Sequence, residues 1–344
     1  MADKLTAPSV ERPTLAKHDS TILDLAFAMD CTGSMGSYIK SAQQNIRDIV
    51  ETIVASEKSN VKLALVEYRD HPPEDQTFVT RTHDFTSSVS QMKSWLDSCA
   101  AQGGGDTPEA VADALHDVLK LNWREEATKI CVLISDAPPH GLSQSGDGFP
   151  EGCPAGLDPI DITRKMAEKG ITLYSVGCEP AIMDYRDFFM ALAYMTGGQY
   201  TPLSGAKLLT KIIIGGAQEE ISLEQWMTDV DEEVQKHIAT GKEIDDDALT
   251  KVLHSKLAFK GAKSKQLVRN KAELAGISSK AKAMSSQMDM VSARSVFKSN
   301  IAETAPVLAS ASTADVYDTL EVETSEYQVG RMLQKSKARN MYKK

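Results

Sequence analysis

The chain is 344 residues long, 42% of them hydrophobic, with a formal charge of −10. That supports one sizeable core with appendages, and the acidic balance argues against generic nucleic-acid binding, which rests on neutralising phosphates. No apolar run approaches the ~20 residues of a membrane helix, and five cysteines without a C-x-x-C pair indicate neither a disulfide framework nor a zinc site.

The first 20 residues, MADKLTAPSVERPTLAKHDS, are polar and lack the apolar stretch of a signal peptide, so residues 1–20 read as a flexible leader of a soluble, cytoplasmic protein. The next stretch, DLAFAMDCTGSM, ends an apolar strand in Asp30 and sets Thr32 and Ser34 on a turn loosened by Gly33 and Gly36. IKSAQQNIRDIVETIV then repeats apolar residues at helical spacing. VKLALVEYRD reads as a strand and QTFVTRTHDF as a more polar edge strand. SSVSQMKSWLDSCAA is a helix opened by Ser. GGGDTPEAVADALHDVLKL is a glycine turn and a helix with Pro108 and Glu109 in its first turn. TKICVLISD is the cleanest buried strand and again ends in an acid, Asp136.

A long Gly- and Pro-rich loop follows to Pro159. The helix DPIDITRKMAEKG, the strand ITLYSVGCE, the helix YRDFFMALAYMTGG, the short strand QYTPL and the helix AKLLTKIIIGGAQ complete the alternation. Strands alternating with helices predict an α/β, Rossmann-like domain over residues 21–220, with a mostly parallel central sheet covered by helices on both faces. Residues 221–275 read as an accessory helical region: two helices with acidic starts and a basic helical segment, KSKQLVRNKAEL. Residues 276–344 are expected to be a low-order basic tail, apart from the strand-like VYDTLEVET.

Successive parallel strands deliver their C-terminal ends to one edge of the sheet, so the loops after Asp30, before the second-loop helix and after Asp136 can converge. Alternating hydroxyls and carboxylates suit a hard cation with oxygen ligands such as Mg²⁺; taken singly, Thr32 and Ser34 read equally as helix caps. His140, Asp147 and Asp158 offer a hydrolytic set that loop polarity also explains. The chain has no phosphate loop of the G-x-x-x-x-G-K-[ST] type and no G-x-S-x-G elbow.

In their order, these three segments resemble the von Willebrand factor A (vWA) domain with its metal-ion-dependent adhesion site, over about residues 20–215. Asp30, Thr32 and Ser34 match its D-x-S/T-x-S motif, and Asp136 matches the Asp after the later strand. The resemblance implies a bound Mg²⁺ or Mn²⁺, one metal position left for a carboxylate from a protein partner, and no catalytic turnover. In the second loop many members use a Thr, which favours Thr107. GGGDTPEA also resembles the D-x-P-E form of integrin β-subunits, where the Glu binds metal, so Asp106 and Glu109 are the alternates. DAPPH is integrin-β-like as well, whereas Gly36, Ser37 and Tyr38 stand where an adjacent acidic pair would form a further site. The downstream text SLEQWMTDVDEEV resembles vWA domains that accompany alpha-kinases, which leaves a regulatory component or remnant of such a kinase, or a metal-independent scaffold, as alternatives.

Overall fold

The computed structural model describes residues 19–341, apart from residues 144, 242, 275 and 305–307. Residues 1–18 of the expected leader lie outside the described residues. Strand β1 (Asp19–Asp30) leads to helix α1 (Gly36–Glu57), then to β2 (Asn60–Tyr68) and β3 (Thr80–Thr86). Helices α2 (Val89–Ser98) and α3 (Val111–Lys120) precede β4 (Ala127–Ser135) and α4 (Pro159–Glu168). β5 (Ile171–Cys178), α5 (Arg186–Met195), β6 (Tyr200–Leu203) and α6 (Leu209–Glu224) complete this part.

The six strands form one sheet in the order β3-β2-β1-β4-β5-β6, parallel throughout except for β3, which pairs antiparallel with β2 at the edge. Helices α1, α2 and α6 pack together as one layer, and α3, α4 and α5 as another. With both faces covered, central strands must be apolar along their length rather than alternating; β5 is buried from end to end. This is the α/β architecture that the strand–helix alternation predicts. β1 lies directly beside β4, with Met29 opposite Ile134, so Asp30 and Asp136 leave the sheet side by side.

The C-terminal third departs from expectation. Helices α7 (Met227–Ala239) and α8 (Asp246–Phe259) form where acidic starts predict them, and the Asp245 carboxylate accepts the Ala248 N–H at 3.0 Å. KSKQLVRNKAEL, however, is not helical. It forms strands β7 (Lys263–Arg269) and β8 (Ala272–Glu273), joined by Asn270 and Lys271 with φ of 55° and 65°. Positive φ at both central residues is the two-residue hairpin turn that matches strand twist, reached here without the glycine that usually signals it.

Residues 276–344 are likewise no low-order tail among the described residues. They supply α9 (Ser279–Ser285), α10 (Met290–Phe297), strand β9 (Tyr317–Glu323) and α11 (Glu326–Met341). β9 pairs with β7, and both pack on α6. α11 buries Val329, Met332 and Leu333 against Leu223, Met227 and Leu253.

The basic charge of α11 is absorbed inside rather than solvated. The Arg331 side chain, 1% exposed, reaches Glu219 at 3.2 Å and Glu220 at 3.5 Å, and its guanidinium also donates to the Tyr174 hydroxyl at 2.7 Å. Lys335 bridges Glu220 and Glu224. Gly197, at φ +74°, lets the chain pass close to α11, because a Cβ there would sit 2.6 Å from the Arg331 carbonyl oxygen.

One disulfide corrects the expectation drawn from cysteine spacing: Cys31 is joined to Cys99, with their Cα atoms 6.7 Å apart. The partners are 68 residues apart and meet only because the β1 turn and the chain after α2 share one edge.

Removing one member of a buried ion network strands the others. Arg331→Ala is therefore expected to destabilise the chain by roughly 3–5 kcal/mol, read as a fall in the denaturant midpoint. A change within about 0.5 kcal/mol, the scale of ordinary surface substitutions, would instead mean that the Arg331 ion network contributes little to the fold.

Candidate metal centre

Asp30 is the last residue of β1 and is fully buried. Its Oδ1 accepts the Thr32 backbone N–H at 2.9 Å and the Thr32 hydroxyl at 2.6 Å. Thr32 and Ser34 oxygens lie 3.5 Å apart, so the three side chains share one corner of the turn. The other oxygen, Oδ2, has the Ser135 hydroxyl at a long 3.5 Å. Asp136 follows β4 and is in contact with the Ser34 hydroxyl.

The second loop closes this corner. Gly33 N–H donates to Gly103 O at 3.2 Å, and Gln102 N–H to Cys31 O at 3.1 Å. Gly104 has φ +81°, and a Cβ there would lie 2.7 Å from Glu109 Oε1 and 3.3 Å from Thr32 Cβ. Only glycine allows the loop that proximity.

Glu109 does not lie in the first turn of α3, as its sequence position suggests; that helix starts at Val111. Its backbone instead bonds the third loop, N–H to Pro138 O at 2.9 Å, and this tether turns the side chain inward. Glu109 is 4% exposed, and its Oε2 has no hydrogen-bond partner among the described residues. Thr107, the favoured second-loop residue from the sequence, is exposed; its N–H bonds Gly146 O at 3.1 Å and its hydroxyl faces Gly146. The geometry therefore brings Glu109, not Thr107, to Asp30. The reason is the Glu109–Pro138 backbone bond, which no local pattern reveals.

Asp106 belongs to a neighbouring cluster. It accepts the Gly148 N–H at 2.5 Å and faces Asp70, two residues beyond the end of β2. His140 stands between two acids, with Nε2 at 2.7 Å from Asp70 and Nδ1 at 3.0 Å from Asp147. Asp70 escaped sequence reasoning; the signal available was an acid at the end of a third apolar strand, YRD, matching the endings in Asp30 and Asp136. The hydrolytic set is not assembled: Asp147 clamps His140, while Asp158 caps α4 through the Ile160 N–H at 2.9 Å and also takes the Met290 N–H.

The electrostatics follow from crowding acids in a dry corner. Burial, then the carboxylates of Asp30, Asp70, Asp106 and Asp136, push Glu109 up to about 10. Burial and Asp136 push Asp30 up to about 7 against the hydrogen bonds from Thr32, and burial with Asp70 pushes Asp106 up to about 6. Burial also raises Asp136. At His140, burial opposes the charged ring, but the hydrogen bonds to Asp70 and Asp147 outweigh it and raise the pKa.

All these groups hold protons in the folded chain that the unfolded chain releases at lower pH, so the metal-free protein loses stability as pH rises. Between about pH 5 and pH 8 the melting temperature in chelator is expected to fall, and Asp30→Asn with Glu109→Gln should flatten that slope. An unchanged slope in the double variant would remove these two carboxylates from the account.

Residues 24–146 match the family model of the von Willebrand factor A domain, so the chain carries a domain of that type. It is 28% identical over 208 residues to an ariadne-like RING finger protein of Acanthamoeba polyphaga mimivirus, covering 57% of this chain and 20% of that protein. It is 27% identical over 158 residues to an alpha-protein kinase of Dictyostelium discoideum, covering 45% and 25%. Identity to subunit 25 of the Mediator of RNA polymerase II transcription from Danio rerio is 25% over 162 residues, covering 42% and 23%. The chain thus spans a quarter or less of the length of these relatives. Among solved structures, the pilus adhesin SpaC of Lactobacillus rhamnosus GG aligns with 60% of this chain and 31% of its own at 12% identity, with a TM-score of 0.43. Among the described residues no helix is long and apolar enough to cross a membrane.

Proposed function

We propose that this vWA-bearing chain is a non-catalytic protein-interaction module that holds Mg²⁺ or Mn²⁺ at Asp30, Thr32, Ser34 and Asp136 and uses it to engage a carboxylate on a protein partner. The observation that carries this reading is the Glu109 carboxylate, buried beside Asp30 and Thr32 with an oxygen that nothing in the described chain satisfies. A buried orphan acceptor beside other raised carboxylates is costly unless protonated or bound to a cation. The converging donors are all oxygens, the set that hard cations take. Such a cation supplies positive charge that can hold an incoming anion.

Glu109 is the second-loop donor in this reading, in place of Thr107. A third carboxylate beside Asp30 and Asp136 neutralises more of the cation, which is then held more tightly and draws a partner's carboxylate less strongly. The kinase-containing relative supports a second reading, a regulatory component or remnant of an alpha-kinase. In a cytoplasmic setting Cys31 and Cys99 would be reduced.

Titration calorimetry with Mg²⁺ and Mn²⁺ tests the site. Heat should be seen for the wild type and vanish in Asp30→Ala, and Glu109→Gln should weaken affinity more than Thr107→Val does. Equal heats for wild type and Asp30→Ala would overturn the metal site. Partner capture from lysate should be lost in EDTA; capture indifferent to chelator would mean a metal-independent scaffold. Labelled ATP with protein substrates should give background transfer, and transfer that tracks the purified chain would favour the kinase-linked reading.

A further inference from the structure

We propose that His71, Asp113 and Cys153 form a second, zinc-type divalent metal site, separate from the carboxylate corner at Asp30. His71 sits on the loop after β2, Asp113 in the first turn of α3, and Cys153 in the long loop after β4. Forty residues or more separate Cys153 from each of the other two. Their donor atoms nevertheless meet: His71 Nε2 is 2.9 Å from Asp113 Oδ2, Cys153 Sγ is 3.2 Å from the same Asp113 oxygen, and Cys153 Sγ is 3.6 Å from His71 Nε2.

That triangle is close to one face of a zinc tetrahedron. Bonds of about 2.3 Å to sulfur, 2.0–2.1 Å to nitrogen and 2.0–2.2 Å to oxygen at tetrahedral angles give edges of roughly 3.3–3.6 Å. Both edges that meet at Asp113, to His71 and to Cys153, would have to open by roughly 0.4 Å, while the His71–Cys153 edge already fits.

The chemistry excludes the nearest rivals. Asp113 and Cys153 both approach the same ring nitrogen of His71, whereas a nucleophile–base–acid triad needs them on opposite nitrogens. A sulfur and an imidazole among three donors select a zinc-type ion over Mg²⁺, so this site would not compete for the ion of the oxygen-lined corner.

The site has room for a fourth ligand. A cavity of about 170 Å³ is lined by Asp113 and Cys153 and extends to Glu109, His140 and Glu151. Three protein donors leave one position facing it for a water.

The Cys153 loop is already shaped for the meeting, since Gly141, at φ +83°, runs so near Gly152 that a Cβ would lie 2.9 Å from its Cα. The ion would pin the loop that carries His140 and Asp147 to the residue next to Asp70. Loop, helix and sheet edge would then be clipped together beside the adhesion corner.

Cobalt(II) added to the chelator-treated full chain tests this. One equivalent should give visible bands of tetrahedral intensity with a near-ultraviolet thiolate-to-cobalt band, and zinc should displace it. Cys153→Ser should abolish the thiolate band and weaken binding by about a hundredfold or more, while Asp30→Ala and Cys31→Ser keep it. In the wild type, zinc should also protect Cys153 from iodoacetamide, read by peptide mass spectrometry. That measurement decides the matter should Cys153→Ser fail to fold. A wild type without the thiolate band, a band that survives in Cys153→Ser or disappears in Cys31→Ser, or Cys153 alkylated equally with and without zinc would each overturn the proposal.

Discussion

Buried carboxylates held close together by the backbone repel one another when charged, and the loops around Asp30 are built within that constraint. Asp30 and Asp136 stand together because β1 and β4 are parallel neighbours. Glu109 joins them because its own N–H is tied to Pro138 of the third loop. Each of these positions is held by main-chain hydrogen bonds and strand register, so the acids cannot move apart to relieve their repulsion. Burial first, and the neighbouring carboxylates after it, raise the pKa values of Asp30 and Glu109, so that protons relieve the repulsion in the metal-free chain. A divalent cation relieves the same repulsion without requiring protons, which is the physical link between the fold and the proposed binding.

The opposite charge arrangement secures the other side of the molecule. Glu219, Glu220 and Glu224 are buried on α6, and α11 brings Arg331 and Lys335 to them from more than a hundred residues away. Here the acids have fixed cationic partners within the chain, whereas at Asp30 and Glu109 the largest neighbouring influences are other acids. Buried ion pairs contribute modestly to net stability, but losing one partner is severe. The C-terminal helix α11 is therefore tied into the fold both by these ion pairs and by its buried apolar residues. The contrast separates the two acid clusters electrostatically: one is completed by cations of its own chain, whereas the other gathers acids beside one another.

Periodicity made the strand–helix alternation of residues 21–220 legible, and the meeting of Asp30, Thr32 and Ser34 was legible because they lie on one short turn. Asp136 was legible because an apolar strand ended in an acid. Which second-loop side chain turns toward Asp30 was not legible, since Thr107 and Glu109 lie within one loop and the direction of Glu109 depends on a backbone bond to Pro138. Asp70 and His140 were brought to the neighbouring cluster by strand ends and a loop that the sequence holds 70 residues apart.

By itself, then, the sequence determined the α/β class, the order of the elements up to α8 and the turn that carries the D-x-T-x-S side chains, because hydrophobic spacing and turn chemistry are local properties. Only the tertiary structure decided the Cys31–Cys99 pairing, the β7–β8 hairpin, the docking of α9, α10, β9 and α11 and the inward turn of Glu109. The basic residues of α11 looked like a solvated tail because their partners, Glu219, Glu220 and Glu224, lie far away in the chain. Whether a charge is solvated or paired depends on what folds against it, and that information is carried by contacts between distant segments rather than by the residues beside it.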